Sequence, residues 1–343
     1  MTDSTRRVSR FAINPLRRRV TALAGALALA CAAGAATPAM AQEAYPSRTV
    51  NIVIGFPPGS ATDGLARMLA DRLSAQLGQQ FVVINRPGMG GGIGAGSVAR
   101  ADPDGYTLLV GATAPISINP HVYPNTNYDP LKDFEPIGPL AWVPMMLVAG
   151  PGVEATTLAE LLSAAKKKPG LITFASSGNG TTSHLTMEIL SSQAGVEFSH
   201  IPYKGSAQSQ VDIISGQVGF AFETLASSLT MAKAGKLKPL GVSSSNRNHL
   251  FPDVPTVAEQ GFPDFDIVAW TGLFAPAGTP APILDKLADA LSTATAEPKF
   301  KEDVMRAGNE VRAAIPRAEF AAFLKKDYER WGDAVKKFNV KTD

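Results

Sequence analysis

The chain has 343 residues, 45% hydrophobic and 18% charged, with a single cysteine, so it can bury a substantial core without disulfide support. Its formal charge of +2 belongs to the N-terminus: setting aside residues 1–41 removes six arginines and one aspartate and leaves −3. No basic patch with interleaved aromatics remains and no later apolar run has membrane-spanning length, which argues against a nucleic-acid-binding protein and a membrane-embedded one.

Residues 1–41 have the form of an export signal. Arginines precede an apolar run from Val20 to Ala36, and Ala39-Met40-Ala41 supplies a small-x-small cleavage pattern, so cleavage after Ala41 and a periplasmic destination are expected. The pairs Arg6-Arg7 and Arg17-Arg18 lack the apolar pair that follows a twin-arginine motif, which favours the general secretory route. Cys31 lies inside the signal, with Ala28 where a lipoprotein anchor prefers Leu. The 302 residues that follow the signal suit about two domains, and two domains suggest a cleft.

The organising stretch runs from Val50 to Leu77. Val50, Ile52 and Ile54 form a short apolar strand that stops at Phe56-Pro57-Pro58-Gly59-Ser60. Leu65, Leu69, Leu73 and Leu77 then mark a helix with Thr62 or Asp63 as its cap and Gly78 as its end. The first amides of that helix face outward at the end of a strand, where an anion is favoured.

Further on, Phe81 to Ile84 is a strand, Asn85 to Gly96 a glycine-rich loop leading to a short helix over Val98 to Ala101, and Tyr106 to Gly111 a buried strand. Asn119 to Pro139 reads as ordered loop, with a strand starting at Leu147. Thr157 and Glu160 make a capping box for a helix that closes at Lys166-Lys167-Lys168. A second run of the same grammar follows. Strands over Ile172 to Ala175, His200 to Pro202 and Val218 to Phe222 alternate with helices over Ser183 to Ala194 and up to Ser215. Pro239 to Val242 and Phe265 to Leu273 are apolar, Pro282 to Ala296 is one helix, and Pro316 to Phe338 is the last, with a core-facing stripe of Phe320, Leu324, Trp331, Val335 and Phe338. Alternation of this kind predicts an α/β protein with parallel sheets flanked by helices.

Three loops share one design, a strand ending in small residues at the start of a helix: Phe56 to Asp63, Ser176 to His184, and Tyr203 to Gln208. In open parallel sheets such loops lie where ligands bind. Their inventory of Ser60, Thr62, Ser176, Ser177, Thr181, Thr182 and Tyr203, with Lys204 and His184 as the only cations, suits a carboxylate held by amides and hydroxyls. Gly90, Gly92 and Ala95 satisfy a dinucleotide fingerprint, but the next strand ends in Gly-Ala-Thr with no acid for a ribose. Ser176 or Ser177 with His184 is the enzymatic alternative, a secreted hydrolase or isomerase, although the G-x-S-x-G elbow and a nearby orienting acid are missing. His121, His200 and His249 show no metal-ligand spacing.

Several stretches together resemble the Bug family, the extracytoplasmic solute receptors of tripartite tricarboxylate transporters. They are Phe56 to Asp63, Asn85-Arg86-Pro87-Gly88, Pro103-Asp104-Gly105-Tyr106, Tyr128-Asp129-Pro130, Pro202-Tyr203-Lys204-Gly205, Gly216-Gln217-Val218, Pro252 to Thr256 and Ala275 to Pro280. The resemblance implies a type II periplasmic-binding-protein-like fold of two lobes, each with a mostly parallel central sheet flanked by helices, and a cleft between them. Lobe 1 would comprise 42–143 and 272–343, and lobe 2 144–271. It implies a monomeric receptor with no catalytic role, cofactor or metal. Its ligand would be a small organic acid (a dicarboxylate, amino acid or aromatic carboxylate), and its partners the integral membrane subunits of a transporter or, alternatively, a sensor kinase.

Carried over by residue, the ligand set is Phe56, Pro58, Gly59, Ser60 and Thr62 in the first loop, Thr113, then Ser176, Ser177, Gly178, Gly180, Thr181 and Thr182, then Gly205, Ser206 and Ala207, with Glu223 as a possible acid of the site. Three departures stand out. Gly59-Ser60 replaces a usual Gly-Gly, Gly219 follows Gln217-Val218 where Asp is common, and Phe222-Glu223 replaces Phe-Asp.

Overall fold

The computed structural model describes residues 45–340 apart from 124 and 339. The export signal and its cleavage after Ala41 lie outside the described residues. Strand β1 (Val50–Ile54) leads to helix α1 (Ala61–Leu77), β2 (Phe81–Asn85), α2 (Gly92–Ala99) and β3 (Thr107–Ala112). β1 lies between β2 and β3, parallel to both, with Ile52 opposite Val83 and Leu108. Leu65, Leu69 and Leu73 of α1 are fully buried on this sheet, each worth about 2 kcal/mol of apolar burial. Gly78 ends α1 in the left-handed conformation, φ 70°.

Two expectations change here. The cap of α1 is Ser60, whose Oγ accepts from the Asp63 amide at 3.2 Å, and not Thr62 or Asp63. Helix α2 also starts earlier than the glycine-rich sequence suggests. A Cβ on Gly94 would lie 2.7 Å from Gly55 Cα, so the glycines permit the helix to press against the end of β1.

After β3 a π-helical turn (Ala114–Ile118) runs into α3 (Asn119–Val122), and then comes β4 (Phe134–Ala149), a strand of 16 residues. The sequence hides β4, because Pro136, Pro139 and Pro144 read as loop. Proline has no amide hydrogen to give a ladder. The register slips between Pro136 and Gly138 and again between Pro139 and Ala141, so two of the prolines adjoin irregularities of the pairing. The first part of β4 pairs antiparallel with β9 (Val268–Pro276), as far as Pro144 opposite Val268. From Met145 its partner is β7 (Phe220–Thr224), with Leu147 opposite Phe222.

The second half is built from α4 (Leu158–Lys167), β5 (Thr173–Ser176), α5 (Thr182–Ala194), β6 (Ser199–Pro202), α6 (Ser206–Ser215), β7, α7 (Leu225–Lys233) and β8 (Lys238–Val242). β5 runs parallel to β6 and β7, and β8 pairs with β4. Eight strands of the ten-stranded mixed sheet lie in the order β2-β1-β3-β9-β4-β7-β5-β6, and the other two each pair with β4 off this path. Two parallel sets are thus joined through the antiparallel pair β4 and β9, the two-lobed α/β architecture of periplasmic binding proteins. Helices α8 (Ala281–Ala296) and α9 (Pro298–Arg306), the short β10 (Glu310–Val311) and α10 (Arg317–Lys337) return to the first set. Phe320, Leu324, Trp331 and Val335 of α10 are buried as its stripe predicts. Helices α7 and α9 had no clear sequence signal, being short and rich in polar residues.

Candidate functional site

Strand–helix junctions from both parallel sets converge on one cavity of about 650 Å³, mouth included. From the first set come Ser60, Ala61 and Thr62 at the start of α1, and Ala112 to Ala114 after β3. From the second come Ser177, Thr181 to Ser183 at the start of α5, Gly205 and Ser206 at the start of α6, and Thr224 ahead of α7. The floor is Val143 and Met145 of β4 with Ala269, Trp270 and Thr271 of β9.

The local sequence explains this convergence. Each junction places a small or hydroxyl residue at a helix start, and helix geometry leaves the first amides without an intrahelical acceptor. Ser60, Thr181 and Thr224 cap their helices by accepting from Asp63, His184 and Ser227 amides. Ala61, Thr62, Thr182 and Ser183, in the first turns of their helices, border the cavity. Among the described residues no lysine, arginine or histidine lines it. The N-terminal ends of helices in a partly apolar enclosure favour an anion there. Thr271 Oγ1, buried on the floor, has no hydrogen-bond partner among the described residues. Thr113 Oγ1 is engaged, accepting from the Trp270 amide at 2.8 Å.

The two sets meet around the mouth. Tyr123 Oη donates to the Asn179 carbonyl at 2.7 Å, and a Cβ on Gly205 would lie 2.9 Å from Pro57 Cγ. Only glycine allows that approach, at φ 144°. Outside this contact a groove runs past Pro87 to Gly91, Tyr123 and Lys204.

Of the sequence-derived site residues, Phe56, Ser60, Thr62, Thr113, Ser177, Thr181, Thr182, Gly205 and Ser206 border the cavity. Pro58, Gly178 and Ala207 border the outer groove instead. Gly59 borders neither. Its amide donates to Asp63 Oδ2 at 3.0 Å, and a Cβ there would meet nothing within 4 Å. Gly180, at φ 70°, packs toward Tyr123 and Val122. Ser176 is fully buried beneath the loop, with its Oγ 2.6 Å from His200 Nε2.

The histidines therefore support the loop. His200 stacks on His184 at 3.9 Å and on Phe174 at 4.7 Å, and burial, with His184 beside it, pushes its pKa down to about 3. His184 Nδ1 accepts from the Gly180 amide at 3.3 Å. The hydroxyl–imidazole pair of Ser176 is thus with His200, and it lies under the cavity wall rather than in it. Among the described residues no group of three His, Cys, Asp or Glu could hold a metal ion.

Glu223 is fully buried and does not border the cavity. Its Oε1 accepts from Ser209 Oγ at 2.5 Å and its Oε2 from Ser227 Oγ at 3.3 Å. Burial pushes its pKa up to about 7, although hydrogen bonds from Ser206, Ser209 and Ser227 oppose the rise. Asp63 behaves oppositely. Burial would raise it, but hydrogen bonds from Arg67, Asn85 and the Gly59 amide hold it below the usual value.

Sequence reasoning missed the floor. Val143 and Met145 are two apart on one face of β4, a period obscured by the neighbouring prolines, and Trp270 and Thr271 lie in an apolar run that reads as a plain return strand. Thr224 could have been found, since it is a capping residue directly after a strand, as in the other loops.

The chain matches the tripartite tricarboxylate transporter family receptor over residues 65–340. It is 34% identical over 310 residues to Protein BugT of Bordetella pertussis, spanning 90% of this chain and 94% of that protein. Among solved structures, Rpa4515 of R. palustris, held with adipate, is 32% identical with a TM-score of 0.84 and is matched over 87% of this chain and 100% of its own. The periplasmic binding protein BugD is 37% identical, with a TM-score of 0.82 over 87% and 100%. With its two parallel sets closing on a cavity at helix N-termini, the chain belongs to the tripartite tricarboxylate transporter receptor family, whose members include the Bug solute-binding proteins and are receptors rather than enzymes.

Proposed function

We propose that this protein is a periplasmic receptor that captures a small organic carboxylate between its lobes and delivers it to the membrane subunits of a tripartite transporter. The observation that carries the reading is a cavity bordered by helix N-terminal amides and by Ser60, Thr62, Thr182 and Ser206, with no cation. The unpartnered hydroxyl of Thr271 supports it as a further donor to the ligand. The adipate held by Rpa4515 is consistent with the same class. Val143, Met145 and Ala269 make one side apolar, which favours an acid with a short aliphatic or aromatic middle over a tricarboxylate.

The lobes are 42–143 with 272–343, and 144–271, a division supported by the change of β4's partner between Pro144 and Met145. Signal cleavage after Ala41, delivery by a monomer, and direct ligand contact by the bordering residues belong to the same reading. Gly59, Ser176 and Gly180 serve it by shaping the loops, and Pro58, Gly178 and Ala207 by forming the mouth.

Thermal melting with a panel of dicarboxylates, amino acids and aromatic acids tests the proposal. At ~100 times the dissociation constant the ligand should add about 2.7 kcal/mol to stability, a clear upward shift of Tm. If no acid in the panel shifts the melt, the carboxylate reading fails.

A further inference from the structure

We propose that Glu223 is a proton-exchanging positioning residue behind the cavity, so that an organic anion is captured together with a proton. The inference rests on the carboxylate reading above and deepens it by assigning the protonation chemistry of the second-lobe wall.

The geometry is a continuous chain of hydroxyls. Thr224 Oγ1, on the cavity wall, is 2.9 Å from Ser227 Oγ, which lies 3.3 Å from Glu223 Oε2. Glu223 Oε1 accepts from Ser209 Oγ at 2.5 Å. Glu223 thus stands one hydroxyl behind Thr224, which borders the cavity.

A hydroxyl carries one hydrogen, and that decides what the wall can offer. With Glu223 ionised, Ser227 donates to the carboxylate, Thr224 donates to Ser227, and the Thr224 hydroxyl is left with oxygen lone pairs for the cavity. An incoming carboxylate would then meet lone pairs and a buried like charge. With Glu223 protonated, the acid itself donates to Ser227, Ser227 can donate to Thr224, and the Thr224 hydroxyl can turn its hydrogen toward the ligand. Binding of an anion therefore raises the proton affinity of Glu223.

No cation in the surrounding elements offsets this. The facing segment of β4, Val143 to Ala149, and all of β5 lack ionisable side chains. On α6 the ionisable group is Asp212, which accepts from Tyr203 Oη at 2.7 Å. On α5 they are His184 and Glu188, 3.6 Å from each other, and on α7 Lys233, in its last turn. Lys238 of β8 donates to the Val153 and Ala155 carbonyls. The influences that shift Glu223 are burial and serine hydroxyls alone, and a pKa of about 7 leaves its proton exchangeable near neutrality.

Titration calorimetry of the wild-type protein with adipate and with benzoate, at about pH 8 in phosphate and in Tris, measures proton exchange directly through the buffer's ionisation heat. Uptake of up to about one proton per bound acid is expected, with Kd weakening by up to about tenfold per pH unit between about pH 7 and 9. Glu223→Gln should abolish the buffer dependence and flatten the pH profile, and the wild-type comparison stands if that variant does not fold. Binding with equal heats in both buffers and a pH-independent Kd would overturn the inference and leave the carboxylate reading intact. No binding of either acid, with no other acid of the panel shifting the melt, would overturn both.

Discussion

Each wall of the cavity holds a buried carboxyl next in sequence to a residue that borders the ligand space: Asp63 follows Thr62 in the first lobe, and Glu223 precedes Thr224 in the second. Their surroundings differ. Asp63 is met by a guanidinium, a side-chain amide and a backbone amide, from Arg67, Asn85 and Gly59. Glu223 is met by hydroxyls only. The first wall therefore keeps a constant negative charge that braces its loop, whereas the second has a charge that can change near neutral pH. Burial alone does not decide ionisation. The donors that accompany it do.

The largest expected effect of this difference is on stability in neutral solution. The pKa of Glu223 is raised from 4.5 to about 7, so its contribution is fully present below pH 4.5 and is lost as pH rises through 7. The corresponding change is roughly 3 kcal/mol. Urea denaturation of ligand-free protein between about pH 5 and 8 should show that decline in wild type and a flatter profile in Glu223→Gln. Parallel profiles would remove the contrast between the walls.

A smaller effect of the opposite sign belongs to the first wall. Asp63 has its pKa lowered from 3.8, so its contribution is present above 3.8 and lost as pH falls through the lower folded value. Asp63→Asn should destabilise by about 2 kcal/mol at neutral pH, discounted for the half-exposed Arg67 partner, and should remove part of the acid-side slope. A variant as stable as wild type at pH 7 would show that the brace on Gly59 is unimportant.

Much of this arrangement is legible in the sequence, and what is hidden has physical causes. The parallel strands and long amphipathic helices follow from local period and caps, as at Leu65, Leu69, Leu73 and Gly78, because their signals lie within one segment. The loops after β1, β5 and β6 are legible for the same reason. Strand β4 is not, since its partners lie far away in sequence and it carries three prolines, two beside breaks in register. The cavity floor is lost with it. The role of Glu223 is also invisible locally: whether a residue after a buried phenylalanine faces the cleft or the helices behind it depends on Ser206, Ser209 and Ser227, which come from two different helices.

The central claim is that helix N-termini and hydroxyls, without a cation, recognise the negative charge of an acid. Titration calorimetry of adipate against dimethyl adipate isolates that charge while keeping the carbon chain. The account predicts that adipate binds about 100-fold or more tighter than the ester, as expected for loss of charge-assisted hydrogen bonds worth ~1.5–3 kcal/mol each. Equal affinity for acid and ester would contradict it.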